Sequence, residues 1–70
     1  MTTPSPCPLN TKQLEAVQWL ANGKTADEIG TITGITKFAV QKRLQLAKEI
    51  VGVGKDTALV AIALRHGWIQ

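Results

Sequence analysis

Apolar residues recur along this chain at intervals of three and four, and glycines interrupt them. Leu14, Val17, Leu20 and Ala21 form the first such stripe, the spacing of one face of an α-helix. Asn10 or Thr11 is a suitable cap for it. Trp19 flanks the stripe as a core residue, and "ANGK" stops the helix, with Gly23 as the left-handed residue after its end. A second, short helix starts at Thr25, where "TADE" has the capping-box pattern, Thr25 at the cap and Glu28 three residues on; Gly34 closes it. Thr36 caps a third helix running to about Val51, with Val40, Leu44, Ala47 and Val51 on its buried face and Gly52 at its end. Lys55 or Asp56 opens a fourth helix, "DTALVAIALRH", which Gly67 ends. No stretch alternates with the period of a strand. The pattern predicts an all-α domain of four helices over residues 9–70. Residues 1–8, "MTTPSPCP", hold all three prolines and predict a flexible tail.

The segment "EIGTITGITKFAVQKRL" carries a more specific signal. A helix-turn-helix packs two helices around a tight turn. Their close approach requires a very small residue in the first helix, and Gly30 supplies it. The turn requires a residue tolerant of positive φ, and Gly34 supplies that. Ile29, Ile35 and Val40 are placed to hold the second helix against the domain. An ordinary helical hairpin would use similar glycines, but the mutual spacing of small residue, turn glycine and valine favours the helix-turn-helix.

Composition narrows the function classes. The chain of 70 residues is one domain near the lower limit for independent folding, too small for a buried catalytic pocket. Eight Lys+Arg against five Asp+Glu give +3 and a pI near 9.4, a modest basic excess that fits a nucleic-acid partner. Cys7 is the single cysteine. It excludes a disulfide framework and a zinc set, and it fits a reducing compartment. No apolar run approaches the ~18 residues that span a bilayer, and the start of the chain lacks the pattern of a signal peptide. A cytoplasmic protein without membrane partner, metal or cofactor is expected. The one histidine has no nucleophile beside it in sequence, so no catalytic residues are assigned and the chain is not read as an enzyme.

From Leu9 to Ile69 the chain resembles the LuxR/GerE-type DNA-binding domain of bacterial transcription regulators. The resemblance is carried by "LEAVQWLANGKTADEIG", then "GIT…AV…L", "VGV" and "ALVAIALRHGWI". Trp19, Leu20, Ala21, Gly23, Lys24, Thr25, Glu28, Ile29 and Gly30 match the family's W-L-A-x-G-K-S-x-x-E-I-A stretch. The resemblance implies a four-helix fold, with the third helix (about 36–51) in the DNA major groove and the fourth supplying a homodimer contact. Most members carry a sensing domain before this one; the chain resembles the stand-alone members. It also departs from the family pattern. The usual basic residue and Thr-Val at the start of the third helix are Phe38-Ala39-Val40. The frequent His is Arg43, a frequent late Lys is Ile50, the Asn-Arg pair before the fourth helix is Lys55-Asp56, and a Glu common in the first helix is Gln13.

Placed on a wheel of about 100° per residue, the third helix turns Val40, Leu44, Ala47 and Val51 inward. Phe38, Lys42, Gln45, Leu46 and Glu49 face outward, Gln41 and Lys48 lie on one flank, and Arg43 lies on the other. By the resemblance, Gln41, Lys42 and Gln45 occupy the base-reading positions. Gln pairs bidentately with adenine, Lys reaches guanine, and Phe38 packs on a thymine methyl. Lys24, Thr36, Lys37, Arg43 and Lys48 are the expected phosphate contacts, together with amides at the starts of the second and third helices. The fourth helix is apolar from Ala58 to Leu64, as expected of a helix buried on two sides. Leu59, Ile62, Ala63 and His66 are the expected dimer contacts. The sequence thus predicts a small sequence-specific regulator that binds double-stranded DNA as a homodimer. The alternative is a truncated family member that heterodimerises with a full-length LuxR-type regulator and inhibits it, suggested by Phe38, Leu46 and Glu49 on the outer face.

Overall fold

The computed structural model describes residues 6–70. They form four helices and, among the described residues, no strand: α1 Thr11–Ala21, α2 Ala26–Thr33, α3 Lys37–Val51 and α4 Asp56–Arg65. The expected tail falls largely on residues 1–5, outside the described residues. Pro6, Cys7 and Pro8 are exposed, and Leu9 is the first buried side chain among the described residues.

Local chemistry sets the helix boundaries. Asn10 Oδ1 accepts from the Gln13 amide at 2.8 Å, and Gln13 Oε1 accepts from the Asn10 amide at 2.9 Å. Two of the backbone donors that α1 leaves unpaired at its start are thereby satisfied. At the far end the Gly23 amide donates to Leu20 O and the Lys24 amide to Trp19 O, the paired bonds of a Schellman motif. The second helix repeats the capping box with Thr25 and Glu28. For α3 the Thr36 hydroxyl oxygen accepts from the Ala39 amide at 3.1 Å. Lys55 is the cap residue of α4 but makes no side-chain capping bond.

The core draws on every helix. Val17 of α1, Ile29 of α2, Val40 and Ala47 of α3, and Leu59 and Ala63 of α4 are almost entirely sealed from solvent. Each Val, Ile or Leu among them contributes on the order of 1.5–3 kcal/mol by burial. Leu9 and Ile69 close the two ends of the chain over this centre. Ile69 is held there by a two-point clasp: Gln18 Nε2 donates to Gln70 O at 2.7 Å, and the Gln70 amide donates to Gln18 Oε1 at 2.9 Å.

The buried face of α1 is rotated from the expected one. Gln13, Ala16 and Val17 are buried, whereas Leu14, Leu20 and Ala21 are half-buried at the margin. Trp19, expected in the core, is also half-buried and packs against it from the side. A polar Gln13 is tolerated inside because its amide oxygen is used by the cap.

Between α2 and α3 the chain turns through Gly34, at φ 75°, a conformation costly for a residue with a Cβ. The Gly34 and Ile35 amides both donate to Gly30 O, at 2.9 and 3.0 Å. A Cβ on Gly30 would stand 2.7 Å from Ile35 O and 3.3 Å from Lys37 N. The turn and the start of α3 therefore rest directly on the backbone of α2.

Gly30→Ala should consequently destabilise the domain. Alanine gains roughly 1 kcal/mol of helix propensity, but the clash is with backbone that cannot swing aside, and the expected net loss is about 1–3 kcal/mol. Gly54→Ala, where a Cβ meets nothing within 4 Å, serves as the control and should be neutral or slightly stabilising. Urea denaturation of both variants checks this; equal midpoints would show that the close approach is unimportant. The Glu28 carboxyl is held below its ordinary range, first by the Thr25 amide and then by the Thr25 hydroxyl; desolvation opposes them, and the Lys24 charge adds the smallest lowering. A carboxyl lowered in the folded state adds stability above its unfolded pKa and loses it as pH falls through the folded value. Glu28→Gln keeps the capping geometry, as Gln13 does in α1, and should flatten the acid side of the stability profile. An unchanged acid limb would remove Glu28 from that role.

Candidate nucleic-acid interface

With Val40, Leu44 and Ala47 committed to the core, the orientation of α3 about its own axis is fixed. Gln41, Lys42 and Gln45 are then exposed together on its outer side, with Lys37, Phe38 and Glu49. Phe38 is 77% exposed, so it does not fold back onto the domain. The start of α3 is anchored by the Thr36 cap and by the rest of the turn on Gly30. The side chains that follow are thus projected from a fixed base. Four of the chain's eight basic residues, Lys37, Lys42, Arg43 and Lys48, belong to α3, against a single acidic one, Glu49. This concentration favours a polyanion over a neutral or acidic partner.

The expected phosphate contacts separate on inspection. Lys37 and Thr36 are exposed, and Lys24 and Arg43 are half-buried. The Thr36 oxygen accepts the Ala39 amide, which leaves its hydroxyl proton available to donate outward. Lys48 departs from the expectation. Its Nζ lies 3.0 Å from Asp56 Oδ1 at the start of α4, so its charge is met within the domain. No helical period signals this pair, because the partners sit on different helices.

The expected dimer contacts need correction. Leu59 and Ala63 are fully buried in the domain's own core and have no surface to offer a second subunit. They point inward because the stripe they form is the one that meets α1 and α3. Ile62 is half-buried and His66 exposed; the outward side of α4 also carries Ala61 and Leu64, the latter 49% exposed. His66 stacks on Trp68 with ring centroids 4.9 Å apart and planes 17° apart.

A second apolar surface was only partly visible in the sequence. Leu46 and Ile50, 42% and 50% exposed, lie one turn apart on the flank of α3 that carries Arg43, away from Gln41 and Lys48. Among the described residues no three His, Cys, Asp or Glu side chains converge as metal ligands, and no helix is long and apolar enough to cross a membrane.

No protein-family model matches the chain. Individual relatives do. The chain is 36% identical over 66 residues to the transcriptional activator protein BjaR1 of Bradyrhizobium diazoefficiens, covering 90% of the chain and 27% of that protein. It is 38% identical over 62 residues to the HTH-type quorum sensing-dependent transcriptional regulator VjbR of Brucella abortus, covering 89% of the chain and 24% of the relative. To the regulator of the same description RpaR, from Rhodopseudomonas palustris, it is 40% identical over 62 residues, covering 89% and 26%. The chain spans about a quarter of the length of these relatives. Nearly the whole described fold, with its Gly30 contact and Gly34 turn, lies within the related stretch. The chain is a homologue of the LuxR-type transcriptional regulators over their helix-turn-helix region.

Proposed function

We propose that this chain is a sequence-specific DNA-binding transcription regulator that lays α3 in the major groove and acts as a symmetric homodimer. The observation that carries the reading is the joint exposure of Gln41, Lys42 and Gln45 on the helix that the Gly30 contact sets in place. Their chemistry suits base edges: glutamine for adenine, lysine for guanine. Phe38 is open enough to meet a thymine methyl. Lys24, Thr36, Lys37 and Arg43 fit phosphate contacts, which supply affinity and register. Two α3 helices placed about one helical turn apart would read a nearly palindromic site. The outward side chains of α4, Ala61, Ile62, Leu64 and His66, are the proposed subunit contact. In a bacterium such a protein works in the cytoplasm, on the chromosome, with no cofactor and no catalytic step.

A second reading has its own observation. Leu46 and Ile50 leave an apolar strip on α3 beside the proposed reading face. Such a strip supports contact with another protein, in which case the chain pairs with a LuxR-type regulator and inhibits it.

Selection of bound duplexes from a random pool at moderate salt separates the two. The DNA reading predicts enrichment of a palindromic motif. It also predicts that Lys42→Ala weakens binding to that motif by about 1–3 kcal/mol while relaxing preference at one position. Wild-type affinity in Lys42→Ala would remove Lys42 as a reader. A folded protein that enriches no motif would favour the second reading.

A further inference from the structure

Two features of α3 work against binding a polyanion: the exposed Glu49 on its outer side, and the ion pair of Lys48 with Asp56 beside the proposed reading face. The members of the pair are unequally placed. The Lys48 side chain is 17% exposed and that of Asp56 49%. Lys48 shares a flank of α3 with Gln41 and Gln45, and the three border one open groove with Asp56. The carboxylate therefore stands at the edge of the surface offered to DNA.

A carboxylate 3.0 Å from an ammonium leaves an approaching phosphate facing a dipole in place of a cation. Beyond a few ångströms the two fields largely cancel, and salt screens what remains. A phosphate that takes Lys48 must first displace Asp56 and then lie beside its unpaired charge. Asp56 also suits the positive end of α4, but that role needs only a polar or acidic side chain at the helix start, not a lysine partner across the groove.

We propose that Asp56 sets the strength of DNA binding by holding Lys48 out of the phosphate contacts. The inference rests on the DNA reading above. In this arrangement Asp56 is a restraint on the interface and makes no contact to DNA of its own. Removing its charge frees one cation and removes one repulsion, and both changes act in the same direction.

The test uses the whole chain and mixed-sequence duplex DNA, with affinity measured by fluorescence anisotropy across a range of salt and folding checked by circular dichroism. Asp56→Asn should bind several-fold more tightly than the wild type. Its dependence of log affinity on log salt should steepen by about 0.9, the increment for one added phosphate contact. The double variant Lys48→Met/Asp56→Asn should lose that gain. With Asp56 intact, Lys48→Met should change the slope less than Lys37→Ala does, Lys37 being an exposed proposed phosphate contact, a comparison that stands even where the Asp56 variants fail to fold. A folded Asp56→Asn with unchanged affinity and slope overturns the proposal. So does a gain that survives in the double variant, or a Lys48→Met slope change as large as that of Lys37→Ala. A wild-type chain with no salt-dependent DNA binding removes the DNA reading itself. Salt-dependent wild-type binding with unresponsive variants removes only the role of Asp56.

Discussion

The position of α3 depends on the missing side chain of Gly30. The carbonyl oxygen of Ile35 lies 2.7 Å from where a Cβ on Gly30 would be, closer than such an atom allows, so the turn is seated on the backbone of α2. Two amides of the turn, those of Gly34 and Ile35, converge on the Gly30 carbonyl. The contact is steric on one side and hydrogen-bonded on the other, and it leaves the first turn of α3 little freedom. Val40, Leu44 and Ala47 then determine which way the helix faces. The exposure of Gln41, Lys42 and Gln45 follows from those two constraints.

A domain of this size has a small core and a correspondingly small margin of stability. Much of its definition comes from the ends of its elements. Two reciprocal capping boxes fix the starts of α1 and α2, and Gln18 ties the last residue to α1 through a pair of bonds spanning 52 positions. These contacts keep Leu9 and Ile69 over the core. They also leave the outer surface of α3 without structural duties, apart from the Lys48 ion pair with Asp56. A surface relieved of such duties can vary in sequence while the fold stays the same.

The sequence was most legible where structure follows from neighbouring residues. Thr25 with Glu28, Thr36 as a cap, Gly23, Gly34 and Gly52 as left-handed helix ends, and the inward stripe of α3 are all local consequences of capping, φ or helical period. Gly30 was legible for the same reason, since a helix-turn-helix leaves room for little else there. Less was legible where a helix offers more than one apolar face or its partners are distant. The buried face of α1 turned toward Gln13 because a glutamine whose amide is used by the cap can be buried at little cost, although Asn10-x-x-Gln13 was itself a readable capping pattern. Leu59 and Ala63 were assigned to a second subunit because a helix apolar all round does not reveal which side its own domain covers. The pairing of Lys48 with Asp56 depends on how α3 and α4 meet, which no periodicity encodes.

The DNA reading proposed above sets the outer side of α3 against the duplex. Amide NMR spectra recorded while duplex DNA is added are the check to make. The largest shift changes should fall on Gln41, Lys42 and Gln45 and on the amides near Thr36, with α4 little affected. Changes confined to the Leu46–Ile50 flank or to α4, or none at all from a folded protein, would contradict it.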